Sequence, residues 1–191
     1  MEGKSMKIVN VSKENASEIS NLMLPYIYEE YIGNGDETDI EYIVLAAVLE
    51  ECEEGFEDAV SANGKLPAAS VLVIQPEATG DLNIVSVYTI PSARNRGYAS
   101  MLLDKALVIA RRMFKWEEDD DDEELILLKT LYRLPDDKKL TYEEYLMKNH
   151  FTDFVLIESK EESSIDDGLS LDVWSASCEV KFIRDKVDMQ V

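Results

Sequence analysis

The chain reads as an α/β (α+β) fold, a mixed and mostly antiparallel central sheet with one parallel pair, flanked by helices. Three observations lead there. Between Asp58 and Ile90, three apolar runs rich in Val, Ile and Tyr are separated by short turns, the pattern of an antiparallel meander. An amphipathic helical stretch follows at once, and after it the apolar run Leu125 to Leu131; a right-handed crossover through that helix sets the new strand parallel to the one before it. Finally, 191 residues with 46% apolar content suffice for one sizeable core and are too few for two ordinary domains, so a single domain spanning 1–191 is expected.

Each element has its own signal. Lys7 to Val11 is a short strand. Ser12 caps a helical stretch in which Ile19, Leu22, Met23, Tyr26 and Ile27 recur at helical spacing, and Pro25 breaks it. After Gly33-Asn34-Gly35, the residues Ile40, Ile43, Val44, Ala47, Val48 and Cys52 form the buried stripe of a second helix, which Gly55 ends. The meander opens with Asp58 to Ala62, turns on Asn63-Gly64, whose residues accept the positive φ of a tight turn, and returns as Ala68 to Ile74. A turn at 77–81 leads into the strand Leu82 to Ile90, stopped by Pro91. The helix beyond it places Met101, Leu102, Ala106, Leu107, Ile109 and Met113 on its apolar side. Eight consecutive acidic residues, Glu117 to Glu124, repel one another too strongly to pack and form a solvated loop. After Leu125 to Leu131, Thr141 caps a helix carrying Tyr142, Tyr145, Leu146 and His150; Phe151 to Glu158 and Leu169 to Ile183 are the last strands.

Forty acidic residues against nineteen basic give a formal charge of −21. A field of that sign repels phosphate backbones and attracts cations, so nucleic acid is not an expected partner whereas an amine is. No apolar run reaches the roughly 18 residues of a membrane span, and Met1-Glu2-Gly3-Lys4-Ser5 lacks a secretory pattern; a cytoplasmic protein without membrane association is expected. Cys52 and Cys178 lie far apart, and His150 is the single histidine, so no metal site is expected.

The most informative segment is Arg94-Asn95-Arg96-Gly97-Tyr98-Ala99-Ser100, between the end of a strand and the start of a helix. A helix N-terminus exposes backbone N–H groups and a partial positive charge, and a glycine there lets main chain approach an anion closely. Between residues 94 and 115, six basic side chains oppose one acidic, a local charge of +5 in a strongly acidic chain. The segment resembles motif A of the GNAT superfamily of acetyl-CoA-dependent N-acetyltransferases, whose loop reads Arg or Gln, two residues, Gly, one residue, Gly or Ala. Arg94, Gly97 and Ala99 take those places, after a strand ending Val87-Tyr88-Thr89-Ile90-Pro91. Glu144 to Phe151 is similar to a second family segment, of aromatic, Tyr, two or three further residues, Gly and Phe, and the likeness covers about residues 58 to 158.

That resemblance implies acetyl-CoA as co-substrate, its pyrophosphate held by Arg94, Asn95, Arg96, Gly97, Tyr98, Ala99 and Ser100. It also implies that the strands ending at Thr89 and beginning near Leu125 splay apart, with the pantetheine arm hydrogen-bonded to backbone at Tyr88 and Thr89. An N–H there polarises the thioester carbonyl while a primary amine, of a small molecule or a protein terminus, attacks directly. The family's catalytic positions are altered. Asn83 stands where some members carry a glutamate base, Leu146 where many carry a tyrosine acid, and His150 where the family has Gly before Phe. Tyr145, one residue away, and His150 are therefore the candidate acid and base, with Tyr88 or a water chain as alternatives.

Two other readings stay open: a CoA-binding protein of this fold with little or no catalysis, and an interaction module that uses the acidic tract. Tyr26, Tyr28 and Tyr31 with Glu29 and Glu30 offer an amine-friendly wall. The last strand, with Val173, Trp174 and Val180, either pairs across a homodimer or completes the monomer's sheet. If the acidic tract is only solvated, deleting Glu117 to Asp122 leaves transferase activity intact in a thiol-release assay; lost activity contradicts that.

Overall fold

The computed structural model describes residues 6–33, 42–49, 67–77, 80–113, 127–132, 134, 136–158 and 173–179. Their seven strands form a mixed sheet with one parallel pair, flanked by helices. The residues group into two compact units, one drawn from Met1–Pro76 and Ile84–Trp116, the other from Glu77–Asn83 and Glu117–Val191.

In the first unit, β1 (Met6–Asn10) pairs antiparallel with β2 (Ile43–Leu49), and β2 with β3 (Ala68–Pro76); β4 (Leu82–Thr89) follows β3 in the order. β2 is where the expected second helix fails. Its sequence, Ile-Val-Leu-Ala-Ala-Val-Leu, is apolar at every position, so it satisfies a helical period and a strand period alike. Seven residues are too few for a core helix, and burial on both faces is what an interior strand provides. Gly55, Cys52 and the proposed hairpin strand Asp58 to Ala62 with Asn63-Gly64 lie outside the described residues. The register of β2 on β3 shifts between Ala47, opposite Ser70, and Val48, opposite Ala68, which leaves Ala69 as the extra residue of a bulge.

Ser12 does not cap a helix. A 3-10 helix runs from Ala16 to Leu22 with Asn15 at its N-cap and no side-chain cap bond, and α1 (Pro25–Gly33) starts afresh at Pro25, where a missing N–H does no harm. Ile19, Leu22, Met23, Ile27 and Tyr31 turn inward, whereas Tyr26 is 60% exposed, contrary to the expected stripe. Tyr31 belongs to the core rather than to an acceptor wall: its hydroxyl donates to the Val11 carbonyl at 2.6 Å, and burial raises its pKa. Burial, then the hydrogen bond to Glu30, pushes Tyr42 up to about 12. In α2 (Tyr98–Met113), which packs on β3 and β2, the buried side chains among those described are Leu102, Leu103, Ala106 and Leu107. Met101 is 43% exposed, so the true stripe is rotated by about one residue from the expected one.

The second unit holds β5 (Leu127–Tyr132), α3 (Asp136–Lys148), β6 (Asp153–Glu158) and β7 (Val173–Glu179). β7 lies between β5 and β6 and is antiparallel to both. α3 begins earlier than expected, so Thr141 is an interior residue and not a cap. The helix packs through side chains: Tyr132 donates to Glu143 at 2.7 Å, Tyr142 meets Tyr132 edge-on at 5.1 Å, and Lys139 stands 3.4 Å over the Trp174 ring. The acidic tract Glu117 to Glu124 lies outside the described residues.

One turn ties this unit together. The Glu77 N–H donates to the Asp81 carbonyl at 2.8 Å, Gly80 takes φ +87°, and the Asp81 carboxylate accepts both the Leu127 N–H at 2.9 Å and the Lys129 ammonium. That hydrogen bond to Asp81 holds the Lys129 pKa above its ordinary value. Asp81→Ala is expected to lower stability by about 1–3 kcal/mol, most of it from the orphaned Leu127 amide, since Lys129 is partly solvated. Urea denaturation measures it; an unchanged midpoint contradicts this role for Asp81.

Candidate active site

The strand-to-helix turn in the first unit is built by local constraints. Ile90 and Ala93 are buried and anchor a single 3-10 turn, Pro91–Ala93, closed by the Ala93 N–H to Ile90 carbonyl bond at 3.0 Å. Arg94 is then extended, Asn95 takes φ +62°, and Gly97 takes φ +84°. The Met101 N–H donates to the Gly97 carbonyl at 3.0 Å, the first bond of α2, so Gly97 is its N-cap. The amides of Tyr98, Ala99 and Ser100 therefore occupy the first turn, where an α-helix supplies no partner for N–H groups. A Cβ built on Gly97 meets nothing within 4 Å. Glycine is required there by its backbone angle, and the space beside it is open. Arg94, Asn95, Arg96 and Gly97 are all exposed. This combination fits a diphosphate: open space beside Gly97 at the helix start, helix-dipole charge, and two arginines on the same short loop.

The loop is fastened to the end of β4. The Nε of Arg94 donates to the Thr89 carbonyl at 3.2 Å. Behind the strand, the Ser70 hydroxyl of β3 donates to the Tyr88 carbonyl at 2.8 Å and meets the Thr89 hydroxyl at 2.8 Å. Ser70 has one proton to give, so Thr89 donates to it. The Ile90 N–H donates to the Ala69 carbonyl, at the bulge, at 3.0 Å. Tyr88 itself is 39% exposed. All nine residues expected to bind the co-substrate thus lie on one continuous strand, turn and helix start.

Tyr145 and His150 lie in the second unit, at the C-terminal end of α3. There the Phe151 N–H donates to the Leu146 carbonyl at 3.1 Å and the His150 N–H to the Met147 carbonyl at 3.1 Å, which together make a Schellman motif. His150 is its left-handed residue, with φ +72°, and Leu146 and Phe151, both buried, supply the accompanying apolar contact. Tyr145 is half-buried and stacks on Tyr142 at 6.0 Å and 26°. Burial raises the Tyr142 pKa.

Comparison with known proteins decides what this arrangement belongs to. The model of the Acetyltransferase (GNAT) family matches residues 21–128, more than half the chain. The chain belongs to the GNAT acetyltransferase family. Among solved structures it is similar to a chimeric spermidine N-acetyltransferase from Vibrio cholerae, at 11% identity and TM-score 0.58, covering 94% of this chain and 98% of that one. It is also similar to the ribosomal-protein-S18-alanine N-acetyltransferase from Escherichia coli, at 10% identity and TM-score 0.55, with 92% and 94% covered. A third is the IAA acetyltransferase from Bacillus cereus, at 14% identity and TM-score 0.53, with 92% and 99% covered. Likeness at such identities is a likeness of fold. No curated protein matches the chain.

In this GNAT N-acetyltransferase the geometry bears on two positions where the resemblance to the family expects catalytic side chains. Leu146, expected from the resemblance to stand in place of the tyrosine acid, is completely buried, so its side chain does not reach solvent. Asn83, expected from the resemblance to stand in place of a glutamate base, has its Oδ1 buried and, among the described residues, without a hydrogen-bond partner. Cys178 is an inert thiol, pushed up to about 12 by burial. Among the described residues, no cluster of three or more His, Cys, Asp or Glu is arranged to hold a metal, and no helix is long and apolar enough to cross a membrane. Sequence reasoning missed Ser70. Its only signal was a lone hydroxyl in the apolar run Ala68 to Ile74.

His150 can be separated into its two roles by one substitution. His150→Gly keeps the helix stop and relieves a left-handed non-glycine residue, so the midpoint of thermal unfolding is expected to rise by the equivalent of about 1 kcal/mol. Acetyl transfer falls only if the imidazole takes part in catalysis. A lower midpoint contradicts the strain attributed to φ +72°.

Proposed function

We propose that this chain, acting as one domain in the cytoplasm, transfers an acetyl group from acetyl-CoA to a primary amine, either of a small molecule or of a protein terminus. The observation that carries the reading is the turn into α2. Positive φ at Asn95 and Gly97 brings the chain into the first turn of the helix with open space beside Gly97, and Arg94 and Arg96 lie on the same exposed loop. Such a cradle suits a pyrophosphate, and family membership supplies the CoA thioester to which it belongs. The solved relatives named for spermidine and for a ribosomal protein's alanine motivate an amine acceptor here. The chain's charge of −21 favours the approach of a cation.

The chemistry asked of the protein is modest. An alkylamine has a pKa of about 10, so it gives up a proton before its lone pair attacks the thioester carbon. The C–N bond forms as the C–S bond breaks, and the departing thiolate takes up a proton. Tyr145 is assigned as the donor to sulfur and His150 as the acceptor of the amine's proton. Backbone N–H at the end of β4 stabilises the oxyanion, a role that depends on main-chain geometry and not on a particular side chain.

Calorimetric titration with acetyl-CoA tests the loop. Arg96→Ala is expected to weaken binding by roughly tenfold, the size of one charge-assisted contact. Gly97→Val adds a Cβ in the open space and about 1–2 kcal/mol of backbone strain, and binding should become undetectable. Asn95→Gly, which accepts the same positive φ without strain, should bind as the wild type does. Unaltered affinity in Gly97→Val contradicts the assignment.

A further inference from the structure

Ser70 is buried in an otherwise apolar stretch of β3, and among the described residues only it and Thr130 are buried polar side chains. Its hydroxyl donates to the Tyr88 carbonyl at 2.8 Å while accepting from the Thr89 hydroxyl at 2.8 Å. The hydrogen bonds therefore run in one direction, from Thr89 Oγ1 through Ser70 Oγ to the carbonyl of the peptide joining Tyr88 to Thr89. That peptide is trans and planar, so its N–H, carried by Thr89, points away from Ser70 and from β3. The next peptide, between Thr89 and Ile90, is held at both ends: Arg94 Nε donates to its carbonyl and its N–H donates to Ala69. With its neighbour clamped and its own carbonyl held, the Tyr88–Thr89 peptide has a fixed plane.

We propose that Ser70 is a positioning residue for acyl transfer, acting through the Thr89 N–H, which it orients and polarises as the donor to the thioester carbonyl oxygen. This rests on the reading that acetyl-CoA binds along β4. A hydrogen bond accepted by a peptide oxygen withdraws electron density from the amide, and the N–H at the other end becomes a stronger donor; aligned chains of such bonds reinforce one another. The placement of this chain is economical in side chains. It strengthens an oxyanion donor from behind the strand, without any group touching substrate, in a protein whose usual acid and base positions are Leu146 and Asn83.

The test reads the carbonyl directly and needs no acceptor. Acetyl-CoA labelled with carbon-13 at the thioester carbonyl is bound to the protein, and its C=O stretch is recorded by isotope-edited infrared spectroscopy. Ser70→Ala is expected to shift the bound band to higher frequency than in the wild type, because the carbonyl is less polarised, while the dissociation constant changes by less than about threefold. Thr89→Val should move the band part of the way, and Thr89→Ser, which restores the hydroxyl, should return it. Where an accepting amine is in hand, kcat in Ser70→Ala should fall by roughly five- to tenfold with KM for acetyl-CoA little changed. A band at the wild-type frequency in both Ser70→Ala and Thr89→Val, with acetyl-CoA bound, overturns the role of Ser70 and leaves the loop assignment standing. Failure of the wild type to bind acetyl-CoA overturns both.

Discussion

Everything at the candidate site depends on how the backbone passes from β4 into α2. A chain leaving a strand must reverse its hydrogen-bonding habit within a few residues. Here it does so with an anchored 3-10 turn, one extended residue, and positive φ at Asn95 and Gly97. Left-handed backbone is costly for residues with a Cβ, least so for Asn and nil for Gly, so the residue types follow from the path. Because Gly97 is both the N-cap and the bare position, the amides that follow it lack helical partners and the space beside Gly97 is open. Arg94 couples this turn to the strand through the Thr89 carbonyl, so the end of β4 and the start of α2 are parts of one scaffold.

Segments whose pattern had one physical meaning were legible from residues alone. The loop Arg94 to Ser100 was, because a glycine ahead of an amphipathic stretch announces a helix start, and Leu82 to Thr89 was, because β-branched residues and a closing proline mark a strand. Ile43 to Leu49 was not: an uninterrupted apolar run carries no period, and only its burial on both faces shows it to be a strand. Rotation of a helix about its axis was also beyond reach where apolar residues are crowded, which is why Met101 and Tyr26 face outward. Ser70 illustrates a different limit. A serine's partners are long-range, and nothing local announces that its hydroxyl lies behind the carbonyl of Tyr88.

The end of α3 shows what a helix stop asks of the residues that form it. The family's glycine before phenylalanine suits a Schellman turn, whose C′ residue is left-handed, and this chain places His150 there at φ +72°. Leu146, whose carbonyl accepts the Phe151 N–H and whose side chain lies in the core, is committed to structure. With Leu146 committed, the proposed chemistry leans more heavily on backbone polarisation and proximity, which act through main-chain geometry.

The central claim is that a diphosphate rests on the amides that open α2. A nitrogen-15 amide correlation spectrum, recorded while acetyl-CoA is titrated into labelled wild-type protein, tests it most directly. The account predicts that the Gly97, Tyr98, Ala99 and Ser100 amide protons move downfield in step with saturation, as new hydrogen bonds to phosphate oxygen form. Saturable binding that leaves those four signals in place while others move would contradict it.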